Sequence, residues 1–192
     1  MSDKLFTAMK VLILVAIGTV AVPLSSALAF SDSYEFLKAV REQDYRQIKI
    51  LLQRGVNINT RDQDDGTTPL YIAVSNKDAP LVGYLLKNGA NPDLDLRETG
   101  ETPLMVAARQ RDKRSASLLL EYQADVDLAD RNGETALIKA IRANARDIVR
   151  LMVEAGADLT LEDYSGRTAL MHAREQRRRD IVRLLEDAGA EY

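Results

Sequence analysis

Four glycines set the frame of this chain. Gly66, Gly100, Gly133 and Gly166 stand 34, 33 and 33 residues apart, and each is followed two places on by a threonine: Thr68, Thr102, Thr135 and Thr168. A period of this length marks a repeat array. A unit of some 33 residues cannot bury its own apolar face and needs copies stacked on either side. The most regular unit runs from Gly133 to Ser165. In it Thr135 is placed to cap a helix with Leu137, Ile138, Ala140 and Ile141 on its apolar face. The turn Ala143-Asn144-Ala145 leads to a second helix carrying Ile148, Val149, Leu151, Met152 and Val153. Gly156 closes that helix, and residues 157–165 form an extended loop.

The strings GTTPLYIAV, GETPLMVAA, GETALIKAI and GRTALMHAR resemble the opening of the ankyrin repeat. The strings LLKNGANPD, LLEYQADVD, MVEAGADLT and LLEDAGAEY resemble its close. The resemblance covers roughly Asp32 to Tyr192. It implies an all-α solenoid of about five helix-turn-helix repeats joined by β-hairpin loops, at approximately 32–65, 66–99, 100–132, 133–165 and 166–192. One departure is consistent: the family's frequent His after Thr-Pro-Leu is Tyr71, Met105, Ile138 or Met171 here.

The first repeat lacks the Thr-Pro-Leu signature, as a solvated end cap can. Ser31-Asp32-Ser33 offers N-caps for its first helix, with Tyr34, Phe36, Leu37 and Val40 facing inward. Its second helix carries Ile48, Ile50, Leu51 and Leu52 and ends near Gly55. In the second and third repeats Pro69 and Pro103 follow the capping Thr, where a missing N–H is harmless, and Pro80 plays the same part in the next helix. The loops before Gly66 and Gly100 are one residue longer than the later ones. The third repeat is compositionally weak. Gln123 replaces the helix-closing glycines Gly55, Gly89, Gly156 and Gly189, and Ser115-Ala116 replaces the apolar pairs Leu81-Val82, Ile148-Val149 and Ile181-Val182. The fifth repeat reads as the C-terminal cap. Ile181, Val182, Leu184 and Leu185 face in, and Arg177, Arg178, Arg179, Arg183, Glu186 and Asp187 form a polar outer surface.

Ahead of the repeats, Lys4 and Lys10 precede an uncharged apolar run over residues 11–22, then Pro23 and a small-residue stretch ending Ala27-Leu28-Ala29. A basic start, about twelve apolar residues and an A-x-A site describe a secretory signal peptide over residues 1–29, cleaved before Phe30. The repeat domain is then 30–192. The rival reading is an uncleaved anchor, since residues 11–30 carry no charge and about 20 residues can span a bilayer. Pro23, Ser25 and Ser26 weaken that span. The expected location is a bacterial periplasm, which a short, compact leader suits, with secretion or membrane anchoring as alternatives. No twin-Arg pair is present, which favours export unfolded.

The chemistry of the chain is narrow. It has no Cys and one His, so disulfides, thiol nucleophiles, Cys–His dyads and Cys/His zinc sites are all ruled out. His172 stands where other repeats have Ile72, Val106 and Lys139, and is read as a surface or semi-buried residue. The acidic loop Asp62-Gln63-Asp64-Asp65-Gly66 fails as an EF-hand. With Gly66 sixth, positions one, three and twelve would be Arg61, Gln63 and Ile72. No Gly-rich phosphate loop and no nucleophile elbow is present. No enzyme activity, metal or cofactor is expected. Removing residues 1–29, which hold Asp3, Lys4 and Lys10, leaves 24 basic against 28 acidic residues. A mildly acidic chain is a poor general binder of nucleic acid or anionic lipid.

The resemblance implies that fingertips and first helices form a concave recognition surface. The fingertips are then Arg61 to Asp65, Asp95 to Thr99, Asp130 to Asn132 and Asp163 to Ser165. The groove positions are Ser75, Asn76, Arg109, Gln110, Arg142, Ala143, Glu175 and Gln176. Counted by residue type the fingers are acidic and the mid-groove basic, which suits a partner with an acidic projection and basic flanks. The candidate contacts are Arg61, Asp64, Asp95, Arg97, Arg109, Arg131, Arg142 and Tyr164. Tyr164 is the only aromatic residue on these fingertips, and an exposed ring there suits a binding hot spot. The expected function is an exported, non-catalytic, monomeric protein-binding module, with a periplasmic or exported protein as partner. Its expected role is inhibition of, or immunity to, a periplasmic hydrolase or toxin. The alternatives are an accessory scaffold or stabiliser of a periplasmic enzyme, such as one of oxidative-stress defence, and a membrane-tethered assembly factor if the leader is retained.

Overall fold

The computed structural model describes residues 24–191, so the charged start and apolar run of the leader lie outside the described residues. Ten α-helices follow one another among them: α1 (Leu24–Arg41), α2 (Tyr45–Gln53), α3 (Pro69–Ser75), α4 (Ala79–Lys87), α5 (Pro103–Gln110), α6 (Lys113–Glu121), α7 (Ala136–Arg142), α8 (Arg146–Glu154), α9 (Ala169–Glu175) and α10 (Arg179–Asp187). Each odd-numbered helix packs against the even-numbered one after it. The odd-numbered helices also stack on each other, α1 to α3 to α5 to α7 to α9, and α4, α6, α8 and α10 stack behind them. None of the described helices is long and apolar enough to cross a membrane.

The local chemistry of each repeat explains this geometry. Thr68, Thr102, Thr135 and Thr168 are extended N-caps, and each Oγ1 accepts from the backbone N–H three residues on, at 3.1 to 3.4 Å. Met105 Sδ completes one of these caps by accepting from Thr102 N–H. The turn between the paired helices is built on a small residue. Ala39, Ala73, Ala107, Ala140 and Ala173 are all buried, and each carbonyl accepts from the N–H five residues on. The residue just before that donor is left-handed in every repeat: Gln43, Lys77, Arg111, Asn144 and Arg177. Asp44, Asp78 and Asp112 then cap α2, α4 and α6 through their side chains, whereas Ala145 and Arg178 leave α8 and α10 without a side-chain cap. The core is one continuous cluster, with Leu70, Leu104, Leu137 and Leu170 stacked in register beside Leu85, Leu119, Met152 and Leu185.

A second set of bonds ties the loops together. Within a loop, Asn57, Asn91, Asp125 and Asp158 each accept from the N–H two residues on. Between loops, Asn59, Asp93 and Asp127 Oδ1 accept from Asn91, Asp125 and Asp158 N–H at 2.8 to 2.9 Å. The result is a chain of side-chain-to-backbone bonds running from Asn57 to Thr160.

Several expectations need correction. α1 is continuous through Ser31-Asp32-Ser33, so these residues do not start the first helix, and Tyr34 is 59% exposed rather than inward-facing. Ile50, Leu52, Leu151, Val153, Val182 and Leu184 are only half-buried, because in each repeat the second helix is covered on one side alone. The loops close as tight hairpins without strands among the described residues: single antiparallel bridges pair Ala129 with Thr135 and Glu162 with Thr168, and Asp62 N–H donates to Thr67 O and Leu96 N–H to Glu101 O. The buried residues of the weak α6 are Ser115, Ala116 and Leu119, where α4 buries Leu81, Val82, Leu85 and Leu86, and Ser115 and Ala116 are fully buried.

Candidate protein-binding surface

The fingertip carboxylates are mostly engaged within the stack. Asp130 lies 2.7 Å from Lys139 Nζ, and its Oδ1 accepts from Asn132 and Glu134 N–H. Burial opposes its ionised form, but these bonds hold its carboxyl below the usual range. Asp163 is built in the same way. Its Oδ2 lies 2.8 Å from His172 Nε2, and its Oδ1 accepts from Ser165 and Arg167 N–H and from the Ser165 hydroxyl. Burial again opposes ionisation, and the bonds from Ser165, His172 and Arg167 hold the Asp163 carboxyl well below the ordinary carboxylate range. In the first repeat Arg41 pairs with Asp62 at 2.8 Å and lowers its pKa, and it also reaches Asp65. His172 is therefore not a surface residue. It is 3% exposed and, at the place Lys139 holds in the repeat before, lies within hydrogen-bond distance of a buried fingertip Asp nine positions upstream.

The groove cations are engaged too. Arg109 Nε donates to Glu101 Oε1 at 3.0 Å, and Arg142 donates to Glu134 Oε1 while Lys139 Nζ donates to Glu134 Oε2. Glu101 additionally accepts from the phenol of Tyr71, whose pKa burial and this carboxylate push up to about 12, so that it remains a donor at neutral pH. In the last repeat the polarity reverses: Arg167 stands where Glu101 and Glu134 were and pairs with Glu175 at 3.1 Å. Arg109, Glu134, Lys139, Arg142 and Ala143 line a shallow depression of about 320 Å³. The expectation of a basic groove thus fails, because each arginine faces a glutamate eight residues before it. A count of Asp and Arg misses this, although the spacings of eight and nine were present in the sequence.

The eight candidate residues separate accordingly. Arg61 is structural: it donates to the carbonyls of Gly66 and Asp95 and pairs with the Asp95 carboxylate at 3.2 Å, fastening the first finger to the second. Arg109 and Arg142 are half-exposed but paired. Asp64 is exposed at the first tip. Arg97, Arg131 and Tyr164 are brought together, since each occupies the same place on successive fingers. Arg131 N–H donates to Thr99 O at 2.9 Å and Tyr164 N–H to Asn132 O at 3.0 Å, which staples each tip to its predecessor. Arg131 Nη2 donates to the carbonyl of Arg97. Neither arginine has a carboxylate partner among the described residues. Tyr164 is 79% exposed, yet its ring edge rests on the preceding finger. A Cβ at Gly133, whose φ is 75°, would lie 2.7 Å from Tyr164 Cδ1 and 2.8 Å from its backbone N. Only glycine admits that approach.

No group of three or more His, Asp or Glu among the described residues is placed to hold a metal. No curated protein matches the chain. The family model described as ankyrin repeats (3 copies) matches residues 36–130 and 117–192. Together with the five stacked helix pairs and their threonine caps, that match places this chain in the ankyrin repeat family.

Proposed function

We propose that this chain is an exported binding protein that shields its own cell from a periplasmic hydrolase or toxin by covering that protein's active site. Ankyrin repeats are protein–protein interaction modules and are generally non-catalytic. The observation that most supports a binding role here is how the charges divide: those in the groove and most of those at the finger bases are paired internally, while the Arg97–Arg131–Tyr164 edge is exposed and held rigid. Export rests on the leader, with Lys4, Lys10, the apolar run and Ala27-Leu28-Ala29 in order. Among the residues whose burial is described the core runs from Phe36 onward, and cleavage before Phe30 would keep all of those.

The test starts with tagged protein recovered from periplasmic extract. Mass spectrometry then identifies what is bound, and that partner's activity is assayed with and without the repeat protein. Inhibition supports the proposal. A partner whose activity or lifetime rises would make this an accessory stabiliser instead, and recovery of full-length protein beginning at Met1 from membranes would remove the export step.

A further inference from the structure

From the fingertip row we infer the chemistry of the partner: a segment in polyproline II conformation with the pattern acidic-x-x-acidic-x-x-apolar, its two carboxylates meeting Arg97 and Arg131 and its apolar residue lying on Tyr164. This rests on the protein-binding reading above, but not on export or inhibition.

Three observations carry it. First, the row is the part of the finger surface where cations are left without carboxylates. Exposed Glu98 and Glu162 lie on the outer two of these fingers but in other registers, matching Asn132 and Ala129 of the finger between them. Second, the row is preorganised. The backbone bonds to Thr99 and Asn132, the anchoring of Arg131 on the Arg97 carbonyl and the seat of Tyr164 on Gly133 fix much of it before any partner arrives. Third, the spacing selects a conformation. Stacked helices sit about 8–10 Å apart. A polyproline II chain rises about 3.1 Å per residue with three residues per turn, so every third side chain returns to the same edge about 9.3 Å further on. A β-strand puts its third residue on the opposite face. Prolines also stack well on an exposed tyrosine, and bidentate carboxylate pairing suits arginine.

The probe is a synthetic peptide, Glu-Pro-Ala-Glu-Pro-Ala-Pro, titrated into isotope-labelled full-length mature protein and followed by amide NMR shifts. The expected result is saturable shifts at Arg97, Arg131 and Tyr164, with affinity at least tenfold greater than for the same peptide carrying Lys in place of Glu. The double variant Arg97→Glu/Arg131→Glu should invert that preference while its circular dichroism stays unchanged. No saturable shift, shifts confined to the groove, or an unaltered preference in the double variant would overturn the inference. So would stronger binding to a single-stranded oligonucleotide or to anionic vesicles. A periplasmic partner that the double variant still captures would overturn it too, while leaving the binding function standing.

Discussion

Gln123 ends α6 at φ 61°, in the place where Gly55, Gly89, Gly156 and Gly189 take the same left-handed turn. A Cβ is strained there, so Gln123→Gly should raise stability by roughly 0.5–1 kcal/mol, read as a higher urea midpoint at constant m-value. This position was legible in the sequence, because it breaks a pattern of glycines. The buried pair beside it in importance was not: neither Asp163 nor His172 is unusual alone, and only their separation of nine, shared with Asp130 and Lys139, announces them. Asp163 carries a testable pH dependence. Its carboxyl is held below the ordinary value in the folded state, so the stability it contributes is complete above the unfolded pKa of about 3.9 and is lost as pH falls below it. Asp163→Asn should therefore lose about 2 kcal/mol at pH 7, the scale of a charged hydrogen bond, and show a flatter stability profile below about pH 4. An unchanged acid limb would mean that other carboxylates govern acid unfolding. Tyr164→Ala, by contrast, removes a ring that is 79% exposed and should shift stability by no more than about 0.5 kcal/mol while weakening partner binding. A paired thermal melt and partner titration separates the two effects.

Among the elements, the first helices of the repeats were easy to read and the second ones less so. Thr at the cap and Pro or Ala after it fix the start of α3, α5, α7 and α9 in the sequence itself. The second helices begin at Asp44, Asp78 and Asp112, a spacing of 34 that fades at Ala145 and Arg178. Their apolar faces are also narrower, because nothing packs behind them, which is why residues such as Leu151 and Leu184 prove half-buried. α10 shows the consequence. It begins at Arg178 with no side-chain cap, and Arg178 Nε is buried without a partner. Arg178→Asp should restore the cap seen at Asp112 and remove the orphaned donor. The expected gain is about 1 kcal/mol, measured by thermal or urea unfolding. No gain would show that the aliphatic stem of Arg178 contributes as much packing as the cap replaces.

The molecule as a whole is a one-dimensional assembly, and its stability depends on how strongly each layer is coupled to the next. The apolar layers of four repeats were legible from periodicity, and those of the degenerate first repeat only from the resemblance to the family. The charge pattern of the surface was not, because composition gives the sign of a finger while pairing decides what remains free. Asp130 and Asp163 count as acidic fingertip residues in sequence, yet in the fold they are buried under Lys139 and His172, and among the described fingertip residues the exposed cations without a carboxylate partner are Arg97 and Arg131. The loop ladder also escaped notice, although Asn57-x-Asn59, Asn91-x-Asp93 and Asp125-x-Asp127 recur at the repeat spacing. It supplies the coupling that can be tested most directly. Asp127 Oδ1 accepts from Asp158 N–H at 2.9 Å, the bond that joins the third loop to the fourth. Asp127→Ala leaves the core intact and removes that acceptor, so the loss should be near the 1 kcal/mol of a single hydrogen bond. If the ladder couples layers, the loss will be uneven along the chain. The Asp158 amide should exchange faster with solvent, Asn91, two rungs away, should keep its protection, and the unfolding transition should broaden as the last repeat separates from the rest. Equal loss of protection at both amides, with the transition as sharp as before, would mean that the apolar layers alone hold the stack together and that the ladder only shapes its loops.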